Sequence, residues 1–161
     1  MEFNKYTISK KGWLRKTFEI KQDDEVIYTI QSKGWTAFKR MIFTNTDGEE
    51  VLVIHRPFTF TKFTFNFLEN SQKTGEFTKA TFSNNYTLES DYATYTADGN
   101  WLGNEYTVYL GDEDIAKVSR KMFSHKNQYG IAIMEGNHDL FILAMVIIIE
   151  AIKIIRKNRG N

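Results

Sequence analysis

Ten consecutive apolar residues, Leu140 to Ile149, stand near the C-terminus, and Ala151, Ile152, Ile154 and Ile155 extend the run past Glu150 and Lys153. A helix that is apolar all round must be enclosed on every side. The flanks support a helix over 138–157. Asn137 is expected to cap the first turn, with Asp139 placed where a negative charge suits the helix dipole. Gly136 permits a sharp approach to the first turn. Lys153, Arg156, Lys157 and Arg159 suit the C-terminal carbonyls, and Gly160 can end the helix. The β-branched isoleucines would also suit a strand, but strands rarely exceed about 10 residues.

Three enclosures are possible. A bilayer span needs roughly 18 to 20 apolar residues. The uninterrupted run is shorter, and Glu150 and Lys153 would each cost several kcal/mol near a bilayer centre. A helical bundle lacks partners, because no other segment has helical periodicity. A sheet wrapped around the helix fits by length: about 18 helical residues span roughly 27 Å, and a strand of seven or eight residues is as long. The wrapped helix is the reading adopted. A tail anchor formed by Leu140 to Ile155 is the alternative.

The remainder of the chain supplies the sheet. Aromatic residues make up 15% of the sequence, including 13 Phe and 8 Tyr, which favours strands over further helices. About twelve strands are expected between residues 4 and 134. Turns are read at Asp23-Asp24, Asp47-Gly48, Lys73-Thr74-Gly75 and Asp98-Gly99-Asn100, with Asp47-Gly48 the strongest hairpin signal. Phe58 and Phe60 share one alternation phase and Phe63, Phe65 and Phe67 the other, so a bulge or bend is expected at Thr61-Lys62. Twelve antiparallel strands leave long edges unless they close. A closed antiparallel barrel around the C-terminal helix resolves both problems, and residues 1–161 form one domain by size.

An internal repeat runs through the hairpins. Glu25, Glu49 and Glu113 are equivalent, followed by Ile27, Val51 and Ile115, and by Ile30, Ile54 and Val118. Phe18, Ile42 and Tyr106 match on the strands that lead into the turns. Charge follows the repeat. Nine of the twenty acids lie in these turns: Asp23, Asp24, Glu25, Asp47, Glu49, Glu50, Asp112, Glu113 and Asp114. Lys33, Lys39, Arg40, Arg56, Lys62, Arg120, Lys121 and Lys126 follow the returning strands. The expectation is a barrel acidic at one rim and basic at the other, although the net charge is only +1.

Val118-Ser119-Arg120-Lys121-Met122-Phe123-Ser124, then Tyr129-Gly130-Ile131, then Asp139-Leu140 with Leu143-Ala144, resemble the closing signature of LURP-one-related proteins. These belong to the tubby C-terminal-like superfamily, which includes the phospholipid scramblases. The hairpin repeats and Leu14-Arg15-Lys16 extend the resemblance over nearly the whole chain. It implies a mainly β fold, a twelve-stranded antiparallel barrel around a hydrophobic C-terminal helix. It further implies phosphoinositide binding through basic residues, as in tubby domains. Scramblases carry a calcium-regulatory acidic segment before the last helix. On the spacing from Phe123 to Gly130, His125 and Asn127 stand there instead, so no calcium site is expected.

Composition and motifs exclude most chemistry. There is no Cys, so no disulfide, thiolate or zinc set is available. His55, His125 and His138 have no metal-ligand spacing. No phosphate loop, nucleophile elbow or kinase signature is present. The chain is expected to be no enzyme and to carry no cofactor or metal. Glu150 pairs with a strand cation such as Lys117 or reaches the barrel mouth; a buried glutamate with a raised pKa is the functional alternative. The near-neutral charge gives no case for nucleic acid.

Two basic clusters suit an anionic lipid surface. One is Lys10, Lys11, Trp13, Arg15 and Lys16, with Trp13 at head-group level. The other is Lys153, Arg156, Lys157 and Arg159. The expected role is a non-enzymatic, soluble tubby-like module whose basic clusters meet phosphoinositide or phosphatidylserine. The alternatives are the tail anchor, a scramblase-like lipid-associated protein without calcium control, and a small-molecule carrier with an open barrel cavity. Met1-Glu2-Phe3-Asn4-Lys5 leads into no apolar run, so a cytoplasmic protein peripheral to a membrane is expected.

Overall fold

The computed structural model describes residues 2–11, 17–33, 38–58, 62–80, 85–100, 105–120 and 128–159, with the backbone alone at 80, 100, 158 and 159. Twelve strands are described: β1 Phe3–Lys11, β2 Thr17–Gln22, β3 Glu25–Lys33, β4 Arg40–Asn45, β5 Glu50–His55, β6 Lys62–Glu69, β7 Gln72–Ala80, β8 Tyr86–Ser90, β9 Thr94–Asn100, β10 Glu105–Leu110, β11 Glu113–Ser119 and β12 Gln128–Met134. One helix follows, α1, Asp139–Arg159. Each strand pairs antiparallel with its chain neighbour, and β1 pairs with both β2 and β12, which closes the barrel.

The helix is the core. Phe141 through Ile149 are 0% exposed, as are Ala151 and Ile152. Inward residues of every wall meet them, including Ile8, Phe18, Phe43, Leu52, Phe67, Leu88, Val108 and Ile133. This is the period-2 alternation the sequence carries, with one face turned onto the helix. Among the described residues no helix is long and apolar enough to cross a membrane. The tail-anchor reading is therefore corrected: the apolar run is covered by strands. The open-cavity reading falls for the same reason, since the helix occupies the interior.

Four hairpins share one construction. A register shift, a β-bulge, lies just before the turn in β2–β3, β4–β5, β6–β7 and β10–β11. The repeat holds in detail for two of them, where Phe18 opposes Ile30 and Tyr106 opposes Val118. In the middle hairpin Met41, not Ile42, opposes Ile54. Its turn is longer, braced by Asn45 Oδ1 accepting from the N–H groups of Asp47 and Glu49 at 3.0 Å each, so the leading strand is offset by one residue.

Two expected turns are corrected, and both involve glycine. Between β6 and β7 the turn is made by Asn70 and Ser71, at φ 49° and 65°, so Lys73, Thr74 and Gly75 lie inside β7. Gly75 is crowded chiefly by its neighbour strand: a Cβ there would stand 3.3 Å from the Glu89 carbonyl oxygen and the Ser90 Cβ of β8, and 3.4 Å from the Phe141 ring. Asp98, Gly99 and Asn100 lie inside β9. Gly99 pairs across the sheet with Tyr106, where a Cβ would come within 2.6 Å of the Tyr106 Cα. Thr61 and Phe60 lie outside the described residues, and so does the bend expected there.

The helix start is also corrected. His138, not Asn137, is the cap. Its carbonyl accepts the Ile142 N–H at 3.1 Å, and its Nδ1 accepts the Phe141 N–H at 3.4 Å. Asn137 Nδ2 donates to the Met134 carbonyl at 2.9 Å and closes the turn. Gly136 has φ 92°, in the left-handed region open to glycine, at the sharp approach to the first turn. Asp139 accepts from Asn4 Nδ2 at 2.9 Å and from the Tyr6 hydroxyl, which fastens the first helical turn to β1.

Candidate functional site

Strand direction decides where charge sits. Chain neighbours are antiparallel all round the barrel, so successive connections alternate between its two ends. The turns after β2, β4, β6, β8 and β10 and the start of α1 share one end. The C-terminus of α1 points to the other. The nine turn carboxylates named above are all exposed and lie at the first end. At the second, Lys11, Lys33, Lys39, Arg40, Lys62, Arg156 and Lys157 are exposed, and Arg56 and Arg120 are half-buried. The described carboxylates near this second end are Asp98, Glu105, the half-buried Glu19 and the buried Glu150. The barrel thus has an acidic rim and a basic rim.

The basic rim has an inner and an outer layer. Inside the mouth, Glu150 is 2% exposed. Its Oε2 lies 3.1 Å from Lys10 Nζ and its Oε1 3.0 Å from Lys153 Nζ. Lys117, the cation proposed from sequence, instead faces outward and lies 4.0 Å from Asp114. Burial pushes the Glu150 carboxyl up, but Lys153 and Lys10 outweigh it and hold it below the usual carboxylate range. The raised-pKa alternative is therefore set aside, and Glu150 is an ionised partner to two lysines. Burial lowers Lys153 against the pull of Glu150.

Aromatic rings back cations of both layers. Lys10 stands 5.6 Å from the Tyr129 ring centroid and Lys153 5.9 Å from that of Tyr106. Arg56 and Arg156 share the Phe63 ring, at 5.5 and 5.8 Å. Lys79 is 1% exposed and lies 5.9 Å from the Tyr86 ring; burial lowers its pKa, and Arg156 lowers it further. The alternation reading missed Lys79. Its signal was the inward phase of Phe77, two residues before it on β7.

The proposed lipid-binding residues divide accordingly. Lys10 turns inward to Glu150, whereas Lys11, the next residue, turns outward. Arg156 and Lys157 are exposed on the last turns of α1. Trp13, Arg15, Lys16 and the Arg159 side chain lie outside the described residues, as do Lys121, Lys126, His125 and Asn127. The structure brings Lys11 and the tail cations to the same rim as Lys33, Lys39, Arg40 and Lys62. Sequence reasoning had kept these as separate groups. It also missed Phe58, which follows β5 at this rim and is 83% exposed. Arg56 holds that segment in place, its N–H donating to the Lys39 carbonyl at 2.9 Å.

Among the described residues no group of three His, Asp or Glu is placed to hold a metal ion. His55 faces outward on β5. His138 caps α1 and packs at 4.1 Å from the Tyr92 ring and 4.4 Å from that of Phe141.

No curated protein is matched by the sequence. The fold is similar to the X-ray structure of a protein from Arabidopsis thaliana, with a TM-score of 0.68 over 94% of this chain and 92% of that one. The two are 13% identical, so the likeness is one of fold. The LURP-one-related family model matches residues 4–150, which takes in all of the strands except Phe3 and more than half of the helix. With its closed barrel and enclosed C-terminal helix, the chain belongs to the LURP-one-related family of the tubby-like superfamily.

Proposed function

We propose that this chain is a non-enzymatic binding module that docks its basic rim on an anionic phospholipid surface. The observation that carries the reading is the segregation of charge. Among the described residues, seven exposed cations and an exposed phenylalanine occupy one end of a barrel whose other end holds the nine exposed hairpin-turn carboxylates. A cation near an anionic leaflet contributes about 1 kcal/mol. Immersing a phenylalanine side chain contributes about 1.5–3 kcal/mol more. The acidic rim is repelled by the same leaflet, so docking has one orientation. Phosphatidylserine and phosphoinositides face the cytoplasm, which makes a peripheral cytoplasmic site the natural one.

Vesicle flotation tests this. Binding is expected to vesicles containing phosphatidylserine or phosphoinositide, not to pure phosphatidylcholine, and to fade by about 0.5 M salt as screening shortens to a few Å. The variant Lys39→Glu/Arg40→Glu/Lys62→Glu should lose binding while keeping its far-UV spectrum. Equal binding to neutral and anionic vesicles at low salt would end the proposal.

A further inference from the structure

The outer wall of the barrel carries a second site, which runs from mid-wall up to the acidic rim at Asp23 and Asp24. A cavity of about 380 Å³ opens across β2, β1, β12 and β11, within the roughly 300–1,000 Å³ usual for small-molecule sites. Its floor exists because four outward positions in adjoining strands are small. Thr7 pairs with Gly130, and Gly130 with Ser119. Ala132 lies in the next outward row, paired with Lys5 on one side and Lys117 on the other.

That row places two lysines astride one alanine. β1 and β11 are two strand spacings apart, about 10 Å. The flexible four-carbon stems of Lys5 and Lys117 allow both ammonium groups to close over Ala132. Lys21, opposite Thr7, adds a third cation at the lower edge. Among the described residues neither Lys5 nor Lys21 has a carboxylate at ion-pair distance, and the exposed Lys117, 4.0 Å from Asp114, must leave that contact to turn over Ala132. Asp23 and Asp24 stand at one end of the cavity, where a second negative charge would be repelled.

We infer that this cavity binds a small organic mono-anion, its carboxylate or sulfonate held between Lys5, Lys117 and Lys21 and its apolar body laid over Gly130 and Ala132. The lysines select the charge, the bare floor admits the apolar part, and the two aspartates bar polyanions. The ligand class therefore differs from the multiply charged head groups suited to the basic rim.

The test is an amide NMR titration of the full chain with sodium octanoate, with 1-octanol as the uncharged comparison. Saturable shifts are expected at Thr7, Gly130 and Ala132, with octanol at least about ten-fold weaker. Lys5→Gln/Lys117→Gln should weaken octanoate by about ten-fold or more, and Ala132→Leu should fill the floor and do the same. Should Ala132→Leu fail to fold, the exposed lysine pair still decides the matter. The rim variant Lys39→Glu/Arg40→Glu should bind octanoate as the parent does. Unsaturable shifts, shifts confined to the rims, equal affinity for octanol, or an unaffected lysine double variant would each overturn the assignment. So would loss of octanoate binding in the rim variant.

Discussion

Glu150 and Lys10 meet 3.1 Å apart across the barrel mouth, joining the last helix to the first strand. β1 is the strand that closes the barrel, because it pairs with both β2 and β12. The ion pair therefore fastens the closing strand to the central helix. Lys153 completes the arrangement from the next turn of α1.

Removing only the acid should be costly. Glu150→Leu leaves Lys10 and Lys153 partly buried with no counter-charge, and breaking such a pair costs about 3–5 kcal/mol. Lys10→Met/Glu150→Leu/Lys153→Met should recover much of that loss, since apolar residues of similar volume restore packing without stranded charge. Urea denaturation measures both. A triple variant no more stable than the single one would contradict the assignment of the cost to unpaired charge.

Acid should act through the same carboxyl. The folded Glu150 titrates below its ordinary value of 4.5. Its contribution is thus fully present above the unfolded pKa and is lost as pH falls through the lower folded one. Between about pH 6 and pH 3 the parent should lose more stability than Glu150→Gln, which has no proton to take up there. Parallel pH profiles would show that Glu150 has no such linkage.

Alkali acts at the opposite end. Burial raises the Tyr6 phenol above its usual 10.0, and its hydrogen bond to Asp139 raises it further. The native state keeps a proton that the unfolded chain releases, so stability falls as pH rises past about 10. Tyr106, pushed well above the same value by burial and then by Glu150, adds to the fall. Tyr6→Phe should flatten the decline between about pH 9 and pH 11, read from denaturation midpoints.

Two glycines at positive φ should respond differently to alanine. At Gly48, φ 80°, a Cβ meets nothing within 4 Å, so Gly48→Ala should cost only about 1 kcal/mol of backbone strain. At Gly99, φ 147°, it collides with the backbone of Tyr106 at 2.6 Å. Gly99→Ala should cost at least about 3 kcal/mol, because β9 and β10 must separate. Similar thermal shifts for the two would contradict that geometry.

Phe58 separates membrane contact from stability. It is 83% exposed, so Phe58→Ala should change folding by less than about 0.5 kcal/mol. Vesicle partitioning should drop by about ten-fold or more, the equivalent of about 1.5–3 kcal/mol of lost apolar burial. Unchanged flotation would remove Phe58 from the docking surface.

The architecture was legible because its largest constraint is local. An apolar run from Leu140 to Ile149 must be covered, and no other segment of the sequence has the helical periodicity to do it, which leaves strands. The acidic rim was legible because hairpin turns announce themselves. Glycine misled at Gly75 and Gly99, which are crowded by Glu89 and Ser90 of β8 and by Tyr106 of β10, close approaches between paired strands that the residue type does not announce. The basic clusters were read by proximity along the chain, which cannot show that neighbours in a strand face opposite ways. Tyr6 and Ile8 set the inward phase of β1, so Lys10 joins Glu150 while Lys11 meets solvent. That parity was available in the sequence; its partner on α1 was not, because helix rotation inside the barrel is fixed only by packing.

The enclosed helix is tested most directly by ending the chain at His138 and following unfolding by near-UV circular dichroism in urea. Without α1, the inward faces of all twelve strands lose their common partner. The account predicts a truncated chain with no native near-UV signal and no cooperative transition. A truncated chain that keeps both would contradict it, since the barrel would then stand without the helix.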